Sequence, residues 1–151
     1  MKRLRHSREA GAAAIELALV MLGALIMMAG TWALGNALWQ VGVLEAAAYD
    51  AAALVASAVP AELADEDGFE TIKDRATDMV EAAAQRSGST YRSSDVECFP
   101  DDDCVIGDIR TVRVEVEAYL QTDLFPIDGG GDGIPVTIHV EVPYAGRIQS
   151  E

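Results

Sequence analysis

From Ala10 to Gly35 the chain runs for 26 residues with one charged side chain, Glu16. About 20 apolar residues suffice to cross a bilayer, so the run predicts a transmembrane helix. Lys2, Arg3, Arg5 and Arg8 crowd its N-terminal flank. Basic flanks stay on the cytoplasmic side. The expected protein is therefore single-pass in the inner membrane, with a cytoplasmic N-terminus and a periplasmic C-terminal body. A buried helix of a soluble core is the alternative, and both the run's length and its one-sided flank argue against it.

The body is acidic. The whole chain carries −14, and residues 1–11 hold four basic residues against Glu9, which leaves 7 basic and 24 acidic residues, a balance of −17. Such a surface repels phosphate backbones and argues against nucleic-acid binding. Both cysteines, Cys98 and Cys104, fall in the outer body, where an oxidising compartment favours a disulfide. The bridge would close the loop "CFPDDDC" and contribute about 2–3 kcal/mol at most. Free thiols and a metal site are the other readings. Structural zinc takes four protein ligands, and the outer body adds only His139 to the two sulfurs.

Helical periodicity continues past the membrane run. Leu34, Leu38, Val41, Leu44, Ala48, Ala52 and Val55 recur every three or four residues, with Asn36, Gln40, Glu45 and Asp50 on the wetter side. Pro60 is the expected stop. One helix over 12–58 would be about 70 Å long, of which a bilayer core uses about 30 Å. Gly30, Gly35 and Gly42 are its weak points, each costing about 1 kcal/mol relative to Ala. A second helix is expected over "DGFETIKDRATDMVEAAAQRSG", opened by Asp67 with Glu70 as a capping pair and closed by Gly88. Its core face would be Phe69, Ile72, Ala76, Met79, Val80 and Ala83.

The period then changes from 3.6 to 2. "VRVEVEAYL" and "VTIHVEV" each alternate apolar with polar residues, as half-buried neighbouring antiparallel strands do. The expected class is α+β: a long N-terminal helix, a second packing helix and a small antiparallel sheet of C-terminal strands. The connection "QTDLFPIDGGGDGIP" is long enough to be functional. Its Leu124, Phe125 and Ile127 form a candidate contact surface, unless they tuck under their own loop.

No catalytic constellation or cofactor motif is visible, and the chain is not expected to be an enzyme. His139 has no nucleophile set by spacing. Asp101–Asp103, and Asp128 with Asp132, lack the spacing of a calcium loop. Glu16 is different. An acid at the centre of a membrane helix costs about 2.5–3.5 kcal/mol, less near the interface. Glu16 is then either an interfacial side chain of no consequence or one with a cationic partner. A new amine made by proteolysis at Gly11 would serve.

A basic leader, Gly11, "AAAIE" with the glutamate fifth, and an apolar helix together resemble the type IV-type prepilins of the tight-adherence (Flp) class. Major pilins of that class carry Glu-Tyr and are much shorter; this chain has Glu16-Leu17. The similarity is closer to the TadE-like minor pilins, or pseudopilins, which share "GAAAxE", an alanine-rich extended helix and a small outer domain ending in valine-rich strands. The resemblance implies cleavage between Gly11 and Ala12 by a prepilin peptidase. It also implies pairing of Glu16 with the new amine of its own or a neighbouring subunit. The implied division is a leader (1–11), a transmembrane segment (12–35) and an outer domain (36–151) that includes a projecting helix (36–59). Implied partners are the peptidase, the major and other minor pilins, an inner-membrane assembly platform and lipid, with an extracellular location once assembled into a pilus. The competing readings are a bitopic regulator that never assembles and a secreted binding domain cut near "GNALW".

Overall fold

The computed structural model describes residues 3–63, 65–100, 109–121 and 133–145. Three helices, α1 (Arg3–Ala56), α2 (Pro60–Leu63) and α3 (Glu66–Ser87), precede three strands, β1 (Thr90–Phe99), β2 (Thr111–Leu120) and β3 (Ile134–Pro143). The strands form one antiparallel sheet in the order β1-β2-β3. The class is α+β, as expected from the sequence. The chain divides into two units, Met1–Asn36 and Ala37–Glu151.

In the second unit, the central strand sets the core. Val112, Val114, Val116, Ala118 and Leu120 of β2 are all buried on one face, the outcome that strict alternation demands. They join Leu44, Ala48, Ala51, Ala52 and Val55 of α1, and Ala76, Val80 and Ala84 of α3, in a single cluster. The two expected strands pair as neighbours, Val114 opposite Val140 and Val116 opposite Ile138.

Strand β1 has no counterpart in the sequence expectation. "TYRSSDVECF" is polar, and a register shift between Tyr91 and Ser93 interrupts its period. The shift leaves Tyr91, Ser94, Val96 and Cys98 on the inner face, where Tyr91 and Ser94 share a hydroxyl hydrogen bond (2.8 Å) and Ser94 donates to Thr77 Oγ1 (3.2 Å). The inner face of β1 is thus half polar but satisfied.

Several local expectations are corrected. Helix α1 ends at Ala56, and Pro60 opens α2 rather than closing α1; a first-turn proline gives up no helical hydrogen bond. α1 runs unbroken through Gly30, Gly35 and Gly42, so neighbouring strong helix formers outweigh the glycines. α3 begins at Glu66, one residue before Asp67, with Asp65 as N-cap and no side-chain capping bond, which removes the Asp67–Glu70 capping pair. Its end is as expected. Gly88 is left-handed (φ 77°), and the Gly88 and Ser89 amides donate to Gln85 and Ala84 (3.3 and 3.0 Å), a Schellman closure. Met79, expected in the core, is 36 % exposed.

The largest correction is Gln40. Expected on the wet side of α1, it is 1 % exposed, whereas Leu38, expected on the packing face, is 64 % exposed, and Leu34 is exposed too. The Gln40 amide donates to the Gln121 carbonyl (2.9 Å) and accepts from the Gln121 amide (3.0 Å). It thus closes β2 as a neighbouring strand would. Beside this clamp Gly133 enters β3 at φ 119°, where any Cβ would strike the Leu120 carbonyl. At the opposite end of the sheet, the Ala145 amide donates to Ala56 O and the Tyr144 hydroxyl to Ala58 O (both 3.0 Å). Residues 40–58 are therefore hydrogen-bonded to both ends of the sheet.

Two measurements follow from these anchors. Gln40→Ala should lower unfolding free energy by about 1–3 kcal/mol, because it strips a buried two-bond contact; urea unfolding of the detergent-solubilised chain would show it, and a loss below about 0.5 kcal/mol would refute the clamp's importance. Burial raises the Tyr144 phenol above its ordinary value near 10. The folded state then favours the protonated phenol, so this contribution is present below pH 10 and lost as pH rises through the folded value. Tyr144→Phe should flatten the alkaline decline in thermal stability, and an unchanged decline would assign it elsewhere.

Candidate assembly surface

Within α1, every side chain from Ala13 to Trp32 is exposed. Ile15, Leu19, Val20, Met27, Met28 and Trp32 are each more than three-fifths accessible, and the most apolar 18-residue window has a mean hydropathy of 2.2. A helix apolar on every side has no water-facing stripe, so it belongs in lipid or among other helices. It is long and apolar enough to span a membrane.

Glu16 lies exposed in this segment. Its helical neighbours one turn away are Ala12, Ala13, Leu19 and Val20, since residues three and four apart share a helix face. None can neutralise a carboxylate through its side chain. A chain beginning at Ala12, however, would place its α-amine at the i−4 position, on the same face and one turn from Glu16. Gly11 and Ala12 both fall inside α1, so a cut between them requires the helix to unwind there. Gly11 is the residue that makes this cheapest, by about 1 kcal/mol relative to Ala.

The outer face of the sheet is polar and internally paired. Arg113 on β2 lies between Glu97 of β1 (3.7 Å) and Glu141 of β3, which it contacts through two nitrogens, and it stacks over the Phe99 ring (4.4 Å). The Glu141 hydrogen bond raises the Arg113 pKa further still. His139 Nδ1 sits 3.5 Å from Glu115, and Arg92 the same distance from Glu117. Such exposed pairs contribute little stability, but they cancel charge on an acidic protein. Among the described residues no group of three or more His, Cys, Asp or Glu is placed to hold a metal.

Cys98 ends the inner face of β1, opposite Val112 and 1 % exposed. No described cysteine is free. Its expected partner Cys104 lies outside the described residues, as do Asp101–Asp103, Asp128, Asp132 and the candidate contact residues Leu124, Phe125 and Ile127. Gln40 and Tyr144 were not singled out from the sequence as anchors, because a glutamine in an amphipathic helix and a tyrosine beyond a strand carry no pattern of their own. A thiol reagent should label neither cysteine in the denatured, unreduced protein and both after reduction; labelling before reduction would exclude the Cys98–Cys104 bridge.

No family model, no curated protein and no solved structure matches this chain.

Proposed function

We propose that this chain is a TadE-like minor pilin, or pseudopilin, of a tight-adherence pilus. A prepilin peptidase cuts it after Gly11. Residues 12–35 hold it in the inner membrane until an assembly platform passes it, with the major and other minor pilins, into a pilus that supports adhesion. Its role is structural: binding, register and packing rather than catalysis. The Cys98–Cys104 bridge would brace the outer domain.

The observation that carries the reading is Glu16, the one charged residue on a helix segment that is apolar on every side and exposed from Ala13 to Trp32. Before cleavage the carboxylate has no cation within one turn. After cleavage the Ala12 amine supplies one, either in the same chain or from a neighbour packed alongside. A desolvated ion pair tolerates no substitute partner: removing one member leaves the other buried and uncompensated, at about 3–5 kcal/mol. Pairing of this kind also fixes axial register between helices, the best attested use of buried polar groups.

The first test is the intact mass and N-terminal sequence of the protein from membranes, with and without the peptidase. A chain beginning at Ala12 only when the peptidase is present is expected. Retention of the basic leader would instead mark a bitopic membrane protein with an acidic outer binding domain, and a start beyond about residue 30 a cleaved signal peptide. Glu16→Ala should insert normally yet fail to assemble, since a loss of about 3–5 kcal/mol per subunit would take pili below detection. Normal piliation in that variant would end the pilin reading of Glu16.

A further inference from the structure

In the second unit, α1 and α3 are bordered by two adjoining surface hollows of about 360 and 310 Å³, which share Ala47, Asp50 and Arg86. Alanines form much of the floor, and Trp39, Val43 and Met79 supply the larger apolar lining. Trp39 is 66 % exposed, a large apolar ring that the fold leaves uncovered beside a hollow. Tryptophan is among the residues that most often anchor protein interfaces.

Charge sets this groove apart from the rest of the surface. The protein has 25 acidic and 11 basic residues, yet the groove carries two of each, Asp50 and Asp78 against Arg75 and Arg86. None of these four forms an ion pair with another described residue, whereas Lys73, Arg92 and Arg113 all do. Arg86 donates only to the Ala82 carbonyl (3.1 Å). On a surface so rich in acids, two arginines without an acidic partner are available to something outside the fold. A partner of uniform sign would meet as much repulsion as attraction. A copy of the same groove, turned about a two-fold axis, meets it acid to base, because an isologous patch must be self-complementary.

We propose that the α1–α3 groove is a self-contact surface whose occupant is the same groove of a second copy of this chain. The two Trp39 rings and Met79 side chains fill the facing hollows, and the Asp50/Asp78 and Arg75/Arg86 sets of each copy neutralise those of the other. This contact goes beyond the pilin reading and does not depend on cleavage at Gly11.

The test uses the full chain in its own membranes, with a benzophenone amino acid in place of Met79 to report the neighbour by photocrosslinking. A homodimer band is expected with or without the prepilin peptidase, which separates this contact from assembly of processed subunits. Two charge-reversed forms are then compared, Arg75→Glu with Arg86→Glu, and Asp50→Arg with Asp78→Arg. All four positions are exposed, so the helices keep their core faces. Each form alone should lose homodimer about tenfold or more, as like charges are brought together, and co-expression of the two should restore a mixed dimer. Crosslinks to a different protein or only to lipid would overturn the proposal, as would a homodimer indifferent to both reversals. Failure of the mixed pair to recover would do the same.

Discussion

The outer unit is organised by the hydrogen bonds that hold residues 40–58 to both ends of the sheet. At one end a buried amide side chain, Gln40, substitutes for a strand by bonding both polar atoms of the Gln121 backbone. At the other end, Ala56 offers a helix-terminal carbonyl, which has no partner within the helix, to the Ala145 amide, and Ala58, just beyond the helix, accepts from the Tyr144 hydroxyl. Between these fixed points only apolar contacts are needed, and they are of two sizes. Alanines dominate the helical side and valines the central strand. Dispersion and desolvation provide the attraction, but they are non-directional. The polar anchors select one sliding position of helix along sheet.

The parts of this fold that repeat were legible in the sequence, and the parts that depend on a single long-range contact were not. Alternation in β2 and β3 is a property of neighbouring residues, so "VRVEVEAYL" announces its buried face before any partner is known. The same holds for α3 and for its glycine terminator. β1 escapes because its bulge breaks the period and because Ser94 is held on the inner face by the hydroxyls of Tyr91 and Thr77 rather than by hydrophobicity. Gln40 escapes because its environment is created by residue 121, far along the chain. On the N-terminal part of α1, the apolar run and the isolated Glu16 were plain from the sequence alone.

The charges of the second unit are unevenly paired. On the exposed sheet face, Arg113 bridges two glutamates with an aromatic ring beneath it, and Arg92 and His139 each face one more. Ion pairs offset part of that face's acidic surplus within the fold. In the groove along α1 and α3, Asp50, Asp78, Arg75 and Arg86 form no ion pair with another described residue. A strongly acidic protein gains solubility from its surplus charge but repels its own copies, so any contact between copies has to be made where the surplus is locally absent.

β3 is an edge strand with proline at both ends, Pro135 opposite Tyr119 and Pro143 opposite Thr111. The Tyr144 amide bonds to Arg110, which turns the even-numbered backbone groups toward β2 and the odd-numbered ones outward. Along the open edge the two prolines withhold their donors, leaving Thr137, His139 and Glu141 with amides to offer. A strand arriving from another molecule finds three donors where five would otherwise stand, flanked by rings that obstruct its approach. Open strand edges otherwise invite edge-to-edge pairing and β-aggregation. The prolines obstruct that route, so this edge is a poor template for a strand from another molecule.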